Sequence, residues 1–541
     1  MPHEHDAEHR HAGRAVLSVA ERWRGLAPPL AKQAEAVSKA LAAGRVDEAE
    51  RGAIALLAQA PEHPEALRLS GAVQVARRRF GEAIATLRAA AARRPDDPLI
   101  HHALANAYEA TRDDAAALDS MRRACVAGPD IADCWFNLGR FLSTSGRAEE
   151  AEQALARAVL LAPRAVEARA LLASTLNLEG RADEAAAQYR EILARNPSAG
   201  QAWWGLATLK PMPLDGADIG RMRAALGTQA IGPSDRIATG FALAHALEHA
   251  GEYVQAFDAL REANALARRN EPWDAAQFEA RIRDILDVFG DATCDTDDAR
   301  GHEAIFVVSL PRSGSTLVEQ ILASHSAVEG TLELADLPQV IVEESRRERS
   351  HFPLWARGCA AERWRALGER YLERTARWRE RRPRFTDKMP GNWLYVGAIM
   401  RMLPQARVVV VRREPLETCF GCYRYLFNGH GYTHDFADLA TAWRGFDRVC
   451  THWATLYPDR VREQSYEALT ADPETQIREL LAFCGLPFEH GCLEFHKAER
   501  RIATPSAGQV RQPMRRDTAR TGKYGALLDP LRTALGLPRW S

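Results

Sequence analysis

The chain has 541 residues, more than one hydrophobic core usually organises, and this length allows roughly two to four domains. Hydrophobic residues make up 46% and charged residues 26%, which excludes a wholly disordered or collagen-like chain. No run of about 18 apolar residues occurs, so we expect no membrane span. Residues 1–13 lack the apolar segment of a signal peptide, and we expect a cytoplasmic protein.

The net charge of −1 conceals an uneven distribution along the chain. Residues 1–300 hold 36 basic and 43 acidic side chains, whereas residues 301–541 hold 35 basic and 29 acidic ones. A basic half beside an acidic half indicates two different tasks. The basic half is the better host for an anionic ligand.

The nine cysteines are scattered and odd in number, so they indicate no disulfide framework. Cys419 and Cys422 make a Cys-x-x-Cys motif, but no second pair lies at zinc-finger spacing. This favours two cysteines on adjacent turns of a helix over a metal site. We expect no bound metal.

The N-terminal half repeats with a period of 34 residues. Prolines recur at that step from Pro61 to Pro197, and small residues follow it in three further series, one of which runs from Ala49 to Ala185. The pattern predicts units of two amphipathic helices whose small residues let the backbones approach closely. Acidic residues such as Asp47 favour the positive N-terminal end of each second helix.

This pattern resembles tetratricopeptide repeats over residues 30–210, after a flexible segment at 1–29. A stretch with the same small residues lies at 241–257, and we interpret residues 211–290 as a degenerate repeat or capping helices. A solenoid of this kind presents a groove to a peptide or protein. The repeats could equally scaffold or dimerise the C-terminal half, and we expect no nucleic-acid partner. The polar residues 291–300 predict a linker.

The C-terminal half, residues 301–541, opens with a strand, a tight loop and a helix. The apolar run 305–310 predicts the strand, and residues 317–323 follow a helical period. Between them Gly314 allows a tight turn, and the free N–H groups at the helix start would face an anion. The loop differs from a Walker A loop, because Ser315 stands where that motif has lysine.

The loop resembles the 5′-phosphosulfate loop of sulfotransferases that use 3′-phosphoadenosine 5′-phosphosulfate (PAPS), in the arginine form of tyrosylprotein sulfotransferases. The whole C-terminal half is similar to bacterial sulfotransferases that carry N-terminal tetratricopeptide repeats. The resemblance implies an all-α repeat solenoid followed by a P-loop-like α/β domain with a central parallel sheet. It assigns PAPS binding to five loop residues: Arg312, Ser313, Gly314, Ser315 and Thr316.

The second motif is the buried strand 407–411, followed by Arg412 and Arg413. Open parallel sheets bind ligands at this carboxyl edge. In the family, an arginine matched here by Arg413 and a serine eight residues later hold the 3′-phosphate of the nucleotide. Gly421 occupies the serine position, and binding could survive the loss of one neutral hydrogen bond, worth about 1 kcal/mol. A solvated strand end is the alternative for both arginines, and for Arg412 it is equally well supported.

The resemblance also implies catalytic residues. Lys388, in the segment Phe-Thr-Asp-Lys-Met-Pro, matches the lysine that contacts the transferring sulfonate, with a surface lysine as the alternative. Glu333 matches the acidic general base, and Glu329 and Asp336 are the other candidates. Ser506 matches a serine near the sulfonate, and Arg312 would act with these residues on the transferring group.

Further nucleotide contacts are implied by the last motifs. Tyr466, at the end of a predicted strand, matches a tyrosine that contacts the nucleotide, although a tyrosine that only packs is a serious rival. Arg520 and Lys523 fall near basic positions of the family's C-terminal loop, at a different spacing.

Together the motifs predict PAPS-dependent transfer of a sulfonate to an acceptor hydroxyl. A tyrosine of a peptide or protein presented by the repeats is the favoured acceptor, while small phenols, sugars and lipids stay open. One alternative is a repeat scaffold with an inactive transferase domain, which Gly421 and Leu332 keep open because both depart from the family pattern. The other is an atypical P-loop nucleotide kinase, against which the missing lysine argues.

Overall fold

The computed structural model describes residues 19–291, 298–331, 333–498, 510–514 and 519–540. The chain divides into two compact units, Met1–Ile192 and Leu193–Ser541. The described helices that begin in the first unit are α1 (Val19–Arg22), α2 (Pro28–Ala42), α3 (Val46–Gln59), α4 (Pro64–Ala76), α5 (Phe80–Arg93), α6 (Pro98–Thr111), α7 (Asp114–Ala127), α8 (Ala132–Thr144), α9 (Ala148–Leu161), α10 (Val166–Leu178) and α11 (Ala182–Arg195).

The helices of the repeats keep the 34-residue step of the sequence. The second helices of successive units, α3, α5, α7, α9 and α11, begin at Val46, Phe80, Asp114, Ala148 and Ala182. The prolines follow directly: Pro61 lies two residues beyond the end of α3, where a continuing helix would need its missing N–H. The predicted all-α repeat solenoid is therefore confirmed.

Small residues in the repeats lie where two helices nearly touch. A Cβ added at Gly71 would lie 2.4 Å from Cγ of Leu87, and one added at Gly139 would lie 2.6 Å from Cγ of Leu155. The alanine series from Ala49 to Ala185 is fully buried. Small residues at the glycine positions thus let the helix backbones approach closely, as the pattern predicted.

The second unit begins with helices that pack on the α/β part. Asn264 donates from Nδ2 to the carbonyl oxygen of Tyr423 at 2.9 Å, and Arg268 pairs with Asp438 at 2.8 Å. These contacts join the segment interpreted as degenerate repeats to the helices that follow the sheet strands. The five helices are α12 (Gly200–Thr208), α13 (Gly216–Gly227), α14 (Pro233–His249), α15 (Tyr253–Asn270) and α16 (Ala275–Val288).

A parallel five-stranded sheet forms the centre of this unit. Its strands are β1 (Ala304–Ser309), β2 (Val328–Glu329), β3 (Arg384–Asp387), β4 (Arg407–Arg412) and β5 (Val461–Ser465), in the spatial order β2-β3-β1-β4-β5. All four strand pairs are parallel. The predicted central parallel sheet is confirmed.

Helices cover both faces of the sheet, because alternate residues of β1 and β4 enter two different cores. Phe306 and Val308 face one core, and Ile305 and Val307 face the other. The remaining described α-helices are α17 (Ser315–Ala323), α18 (Asp336–Arg347), α19 (Ala361–Arg374), α20 (Val396–Met402), α21 (Pro415–Tyr423), α22 (Phe436–Leu456), α23 (Tyr466–Ala471), α24 (Pro473–Phe483) and α25 (Asp529–Leu535). Short 3-10 helices lie at Leu354–Ala356, Ala376–Arg379, Pro390–Tyr395, Gly431–His434, His490–Cys492, Phe495–Lys497, Thr521–Lys523 and Gly525–Leu528.

The two cysteines of the Cys-x-x-Cys motif lie in α21. Cys419 and Cys422 both lie in this helix, buried and unbridged, as the sequence favoured. Burial raises the pKa of the Cys422 thiol to about 12, so the thiol stays protonated.

Candidate active site

The loop between β1 and α17 carries the predicted anion-binding turn. Gly314 caps the helix with a φ of 97°, a conformation that side chains disfavour. A Cβ at this position would lie 2.5 Å from Cδ2 of Tyr466. Glycine is therefore required twice, by its backbone conformation and by the tyrosine ring that closes on it.

Arg312, two residues earlier, also has a positive φ, of 67°. A bulky residue in this region is uncommon and costs on the order of 1 kcal/mol or more. Its guanidinium carbon lies 5.4 Å from the centre of the Tyr425 ring. Burial lowers the pKa of Arg312, with Arg424 and Arg413 adding to the effect. The loop thus holds a desolvated cation in a strained backbone.

Gly421 of α21 faces this arginine. A Cβ at Gly421 would lie 3.1 Å from Cβ of Arg312, closer than such carbons ordinarily approach. The absence of a side chain here brings α21 against the loop. The glycine that stands in place of the family's serine therefore avoids a close contact with Arg312.

The two arginines at the end of β4 have different surroundings. Arg412 forms ion pairs with Asp447 and Glu463, each at 2.6 Å. Arg413 instead places its guanidinium carbon 4.8 Å from the Tyr466 ring centre and lies 3.6 Å from Glu417. Only Arg413 of the two lines the cavity described next.

A cavity of about 580 Å³ brings most of the predicted nucleotide-binding residues together. The predicted residues on its wall are Arg312, Gly314, Ser315, Thr316, Arg413, Tyr466, Arg520 and Lys523. Ser313 is buried and does not line it. A second cavity of about 490 Å³ shares Arg413, Glu417, Tyr466 and Ala519 with the first.

Two of the predicted catalytic residues bind each other. Lys388 follows β3, is 1% exposed and donates from Nζ to Oε1 of Glu333 at 2.7 Å, while the Glu333 side chain is 45% exposed. A buried lysine requires such a partner, since an unpaired charge away from water is costly. Neither residue lines the large cavity.

The other two acidic candidates are engaged elsewhere. Glu329 pairs with Arg381 at 2.8 Å, and Asp336 is 5% exposed and lies 3.7 Å from Arg377. Glu333 is thus the candidate with both solvent access and a lysine partner.

The lysine's neighbour on β3 is also unusual. Asp387 is fully buried, and burial raises its pKa to about 7, with Asp336 and Glu319 adding to the effect. Tyr371 donates to Asp387 Oδ2 at 2.7 Å. This pair lies beneath the backbone that presents Lys388.

Comparison with known families assigns two parts of the chain to family models. Residues 304–490 match a model described as the sulfotransferase family, and residues 40–107, 136–199 and 179–209 match models of the tetratricopeptide repeat. The chain contains a sulfotransferase-family domain that follows tetratricopeptide repeats in the sequence.

Individual relatives are more distant. An uncharacterized protein of Aquifex aeolicus is 32% identical over 320 residues, which cover 57% of this chain but only 42% of that relative. A Caenorhabditis briggsae protein named "Putative protein-tyrosine sulfotransferase" is 25% identical over 200 residues, covering 36% of this chain and 70% of that protein. The crystal structure of MamA protein is 20% identical, covers 32% of this chain and 94% of its own, and has a TM-score of 0.28.

In the sulfotransferase domain, Glu417 of α21 holds the C-terminal segment at the cavity. The backbone N–H groups of Arg520 and Thr521 each donate to Glu417 Oε1 at 2.8 Å, and the Thr521 hydroxyl donates to the same oxygen at 2.6 Å. Arg520 and Lys523 lie on the wall of this cavity.

Sequence analysis missed a second acidic anchor, Glu248 of α14. It binds Arg424 at 2.5 Å, accepts a hydrogen bond from Tyr524 at 2.8 Å and pairs with Arg520. Burial opposes its ionisation, but Arg424 and Arg520 together lower the pKa of Glu248 to about 2. No motif signals this residue, because it lies outside the segment that matches the sulfotransferase family.

His245 lies one helical turn before Glu248 and stays neutral. Burial and Arg424 lower the pKa of His245 to about 3, while its Nε2 lies 2.9 Å from the carbonyl oxygen of Arg424. Arg424 was also missed, although it lies one residue beyond the end of α21. Lys210, a third missed residue on the cavity wall, lies between α12 and α13.

Some predicted positions lie outside the described residues: Ser506, Leu332, most of the segment 1–29, and residues 292–297 of the linker 291–300. Within the described ranges, no three His, Cys, Asp or Glu side chains are grouped as a metal site would require. The same ranges contain no helix with the length and hydrophobicity of a membrane span.

Proposed function

We propose that the second unit transfers a sulfonate group from PAPS to an acceptor hydroxyl. The observation that carries this proposal is the cavity of about 580 Å³, where the start of α17, Arg312 and Arg413 face one space. Because β3, β1 and β4 are adjacent parallel strands, spaced by about 4.8 Å, the loops bearing Lys388, Arg312 and Arg413 leave the same sheet edge. The sulfotransferase-family match supports the reaction class.

The charge of the cavity fits a nucleotide with several phosphate groups. Among the residues that the structure describes, its wall carries six cationic side chains and one carboxylate, that of Glu417. The helix start adds N–H groups and the hydroxyls of Ser315 and Thr316, a combination suited to an anion. The cationic residues are Lys210, Arg312, Arg413, Arg424, Arg520 and Lys523.

When bound, PAPS supplies an activated sulfonate that passes to the acceptor oxygen as its bond to the 5′-phosphate breaks. Arg312 and the N–H groups of α17 would hold the anionic end and stabilise the charge that develops there. Lys388 would add a second cation beside the reacting group. Glu333, half-exposed, would accept the proton of the acceptor hydroxyl.

The acceptor class that we infer is a tyrosine of a peptide or protein, with the repeats presenting the chain that bears it. The arginine form of the loop and the similarity to the Caenorhabditis briggsae protein support this inference. Tetratricopeptide repeats support a polypeptide partner.

The test is turnover of radiolabelled PAPS by the full chain with two acceptors, a tyrosine-containing peptide and a small phenol. We expect label in the peptide and loss of transfer in Glu333→Gln. ATP in place of PAPS should give no product, which separates this reaction from a kinase. A chain that binds adenosine 3′,5′-bisphosphate but transfers to neither acceptor would instead support the inactive-transferase alternative.

A further inference from the structure

Lys210 lies on the wall of the large cavity without belonging to any motif. It falls in the segment between α12 and α13, well before residue 304, where the sulfotransferase-family match begins. It lines the cavity together with Arg312 and with Gly314, Ser315 and Thr316 of the anion-binding turn. Lys210 therefore shares one cavity with the predicted anion-binding turn.

Among the described residues, most of the charged groups that act on Lys210 are positive. The charged groups that act on it are Arg520, Arg424, Arg312 and Glu248. Glu248 is already bound to Arg424, Arg520 and Tyr524. Among the residues that the structure describes, none forms an ion pair with the ammonium group of Lys210.

The pKa of Lys210 reflects these surroundings. Partial desolvation lowers it, and the three arginines lower it further, while Glu248 opposes them. An anion bound in the cavity would counteract both effects on the pKa, because its negative charge favours the protonated ammonium group.

We propose that Lys210 binds a phosphate group of the nucleotide co-substrate, so that the helices preceding the family-matched segment complete the nucleotide site. This assignment rests on the proposed function. A phosphate is favoured over an acceptor carboxylate because the same cavity wall contains the start of α17, with its free N–H groups and two hydroxyls. Lysine binds phosphate as a point charge, which suits a position at the end of a loop.

The experiment is calorimetric titration of adenosine 3′,5′-bisphosphate into the full wild-type chain, Lys210→Met, Lys210→Arg and the exposed-lysine control Lys32→Met. Loss of one charge-assisted contact should raise the Kd of Lys210→Met by about 10- to 100-fold. Lys210→Arg should remain within a few-fold of wild type, and Lys32→Met, in the repeats, should be unchanged. Circular dichroism and thermal melting check that each variant is folded.

A pH series separates a direct contact from a structural role. Binding requires the protonated amine, so the affinity of the wild-type chain should fall as the pH rises through the lowered pKa of Lys210. Lys210→Arg should lose the part of this fall that Lys210 causes. The neighbouring Arg312, Arg424, Arg520 and Glu248 keep their charges over that range. Lys523, the other lysine on the described part of the wall, is present in both chains, so the difference between the two pH series belongs to Lys210.

Adenosine 5′-monophosphate and adenosine 3′-monophosphate identify the phosphate concerned, because only the one that Lys210 contacts should lose affinity in Lys210→Met. An unchanged Kd for the bisphosphate in Lys210→Met overturns the assignment, as does a defect confined to the KM of the acceptor. If the wild-type chain binds none of these nucleotides, the proposed function fails as well, and the two failures are thus distinguishable.

Discussion

The two units of this chain use many of their charged residues differently. In the repeats, ion pairs such as Arg140–Glu109 and Arg181–Glu152 link neighbouring units at the surface, with side chains about a third exposed. In the second unit, Lys388, Glu248 and Glu417 are buried to 9% exposure or less. Surface pairs contribute little stability, about 0–1 kcal/mol, whereas buried charges are costly unless they serve a purpose. Burial of charge alone does not distinguish the second unit, because the repeats also bury the pair between Arg22 and Asp97. The difference is that six described cationic side chains of the second unit line one cavity.

The largest expected effect comes from the strained cation of the β1–α17 loop. Arg312→Ala removes the guanidinium that faces the cavity and should abolish transfer, lowering turnover by at least about 10³-fold, and weaken nucleotide binding. Arg312→Gly, which suits the positive φ, serves as the matched variant. If the lost activity came only from backbone strain, the glycine variant would recover it; we expect both to be inactive in the radiolabel assay.

Glu333→Gln should have the next largest effect. The substitution keeps the shape of the side chain but removes its proton affinity, so turnover should fall by about 10²- to 10⁴-fold with nucleotide affinity nearly intact. Glu329→Gln is the control, because Glu329 is held by Arg381. A normal rate in Glu333→Gln together with a slow Glu329→Gln would move the base four residues upstream.

The adjacent arginines at the end of β4 sharpen the comparison within a single strand. Arg413→Ala should remove most of the discrimination between adenosine 3′,5′-bisphosphate and adenosine 5′-monophosphate, about 10- to 100-fold in relative Kd. Arg412→Ala breaks its pairs with Asp447 and Glu463 and should lower stability without changing that ratio. The opposite assignment of effects, measured by calorimetry, would show that the register of the motif is off by one.

The smallest effect on catalysis is expected from the repeats. Gly139→Ala places a Cβ 2.6 Å from Leu155 Cγ and should destabilise the repeat unit by about 1–3 kcal/mol. Thermal melting should report this loss. Transfer to a small phenol should remain unchanged, and a lower rate with that acceptor would contradict the division of tasks between the two units.

Periodicity made the repeats predictable from sequence. The prolines and small residues recur at 34 residues because every unit solves the same packing problem, so the starts of α3, α5, α7, α9 and α11 follow. The strand and loop around Gly314 were predictable for a related reason, since the residues there are chosen for the local backbone conformation that they adopt. The placement of Cys419 and Cys422 on one helix could also be predicted, because it depends only on their spacing in the sequence.

Contacts between distant segments were not predictable in this way. Lys210 and Arg424 line the cavity through tertiary packing, and Glu248 binds Arg424, but no local sequence pattern indicates these contacts. The role of Gly421 also depends on a distant contact. From the sequence, the glycine indicated only a lost hydrogen bond, whereas the structure shows that it lies close to Arg312. The bond between Lys388 and Glu333 joins two motifs that the sequence could only treat separately.

The contacts that Glu248 of α14 makes with Arg424, Arg520 and Tyr524 limit where the chain can be cut and joined to a relative. A cut at residue 301, where the sequence predicts the last domain to begin, would discard Glu248 and leave Arg424, Arg520 and Tyr524 without their shared acceptor. A junction close to the boundary between the two units, placed after α11 ends at Arg195, keeps all four residues in one fragment. We therefore expect that repeat arrays could be exchanged between relatives at that junction, while the helices from α12 onward stay with the sulfotransferase-family domain.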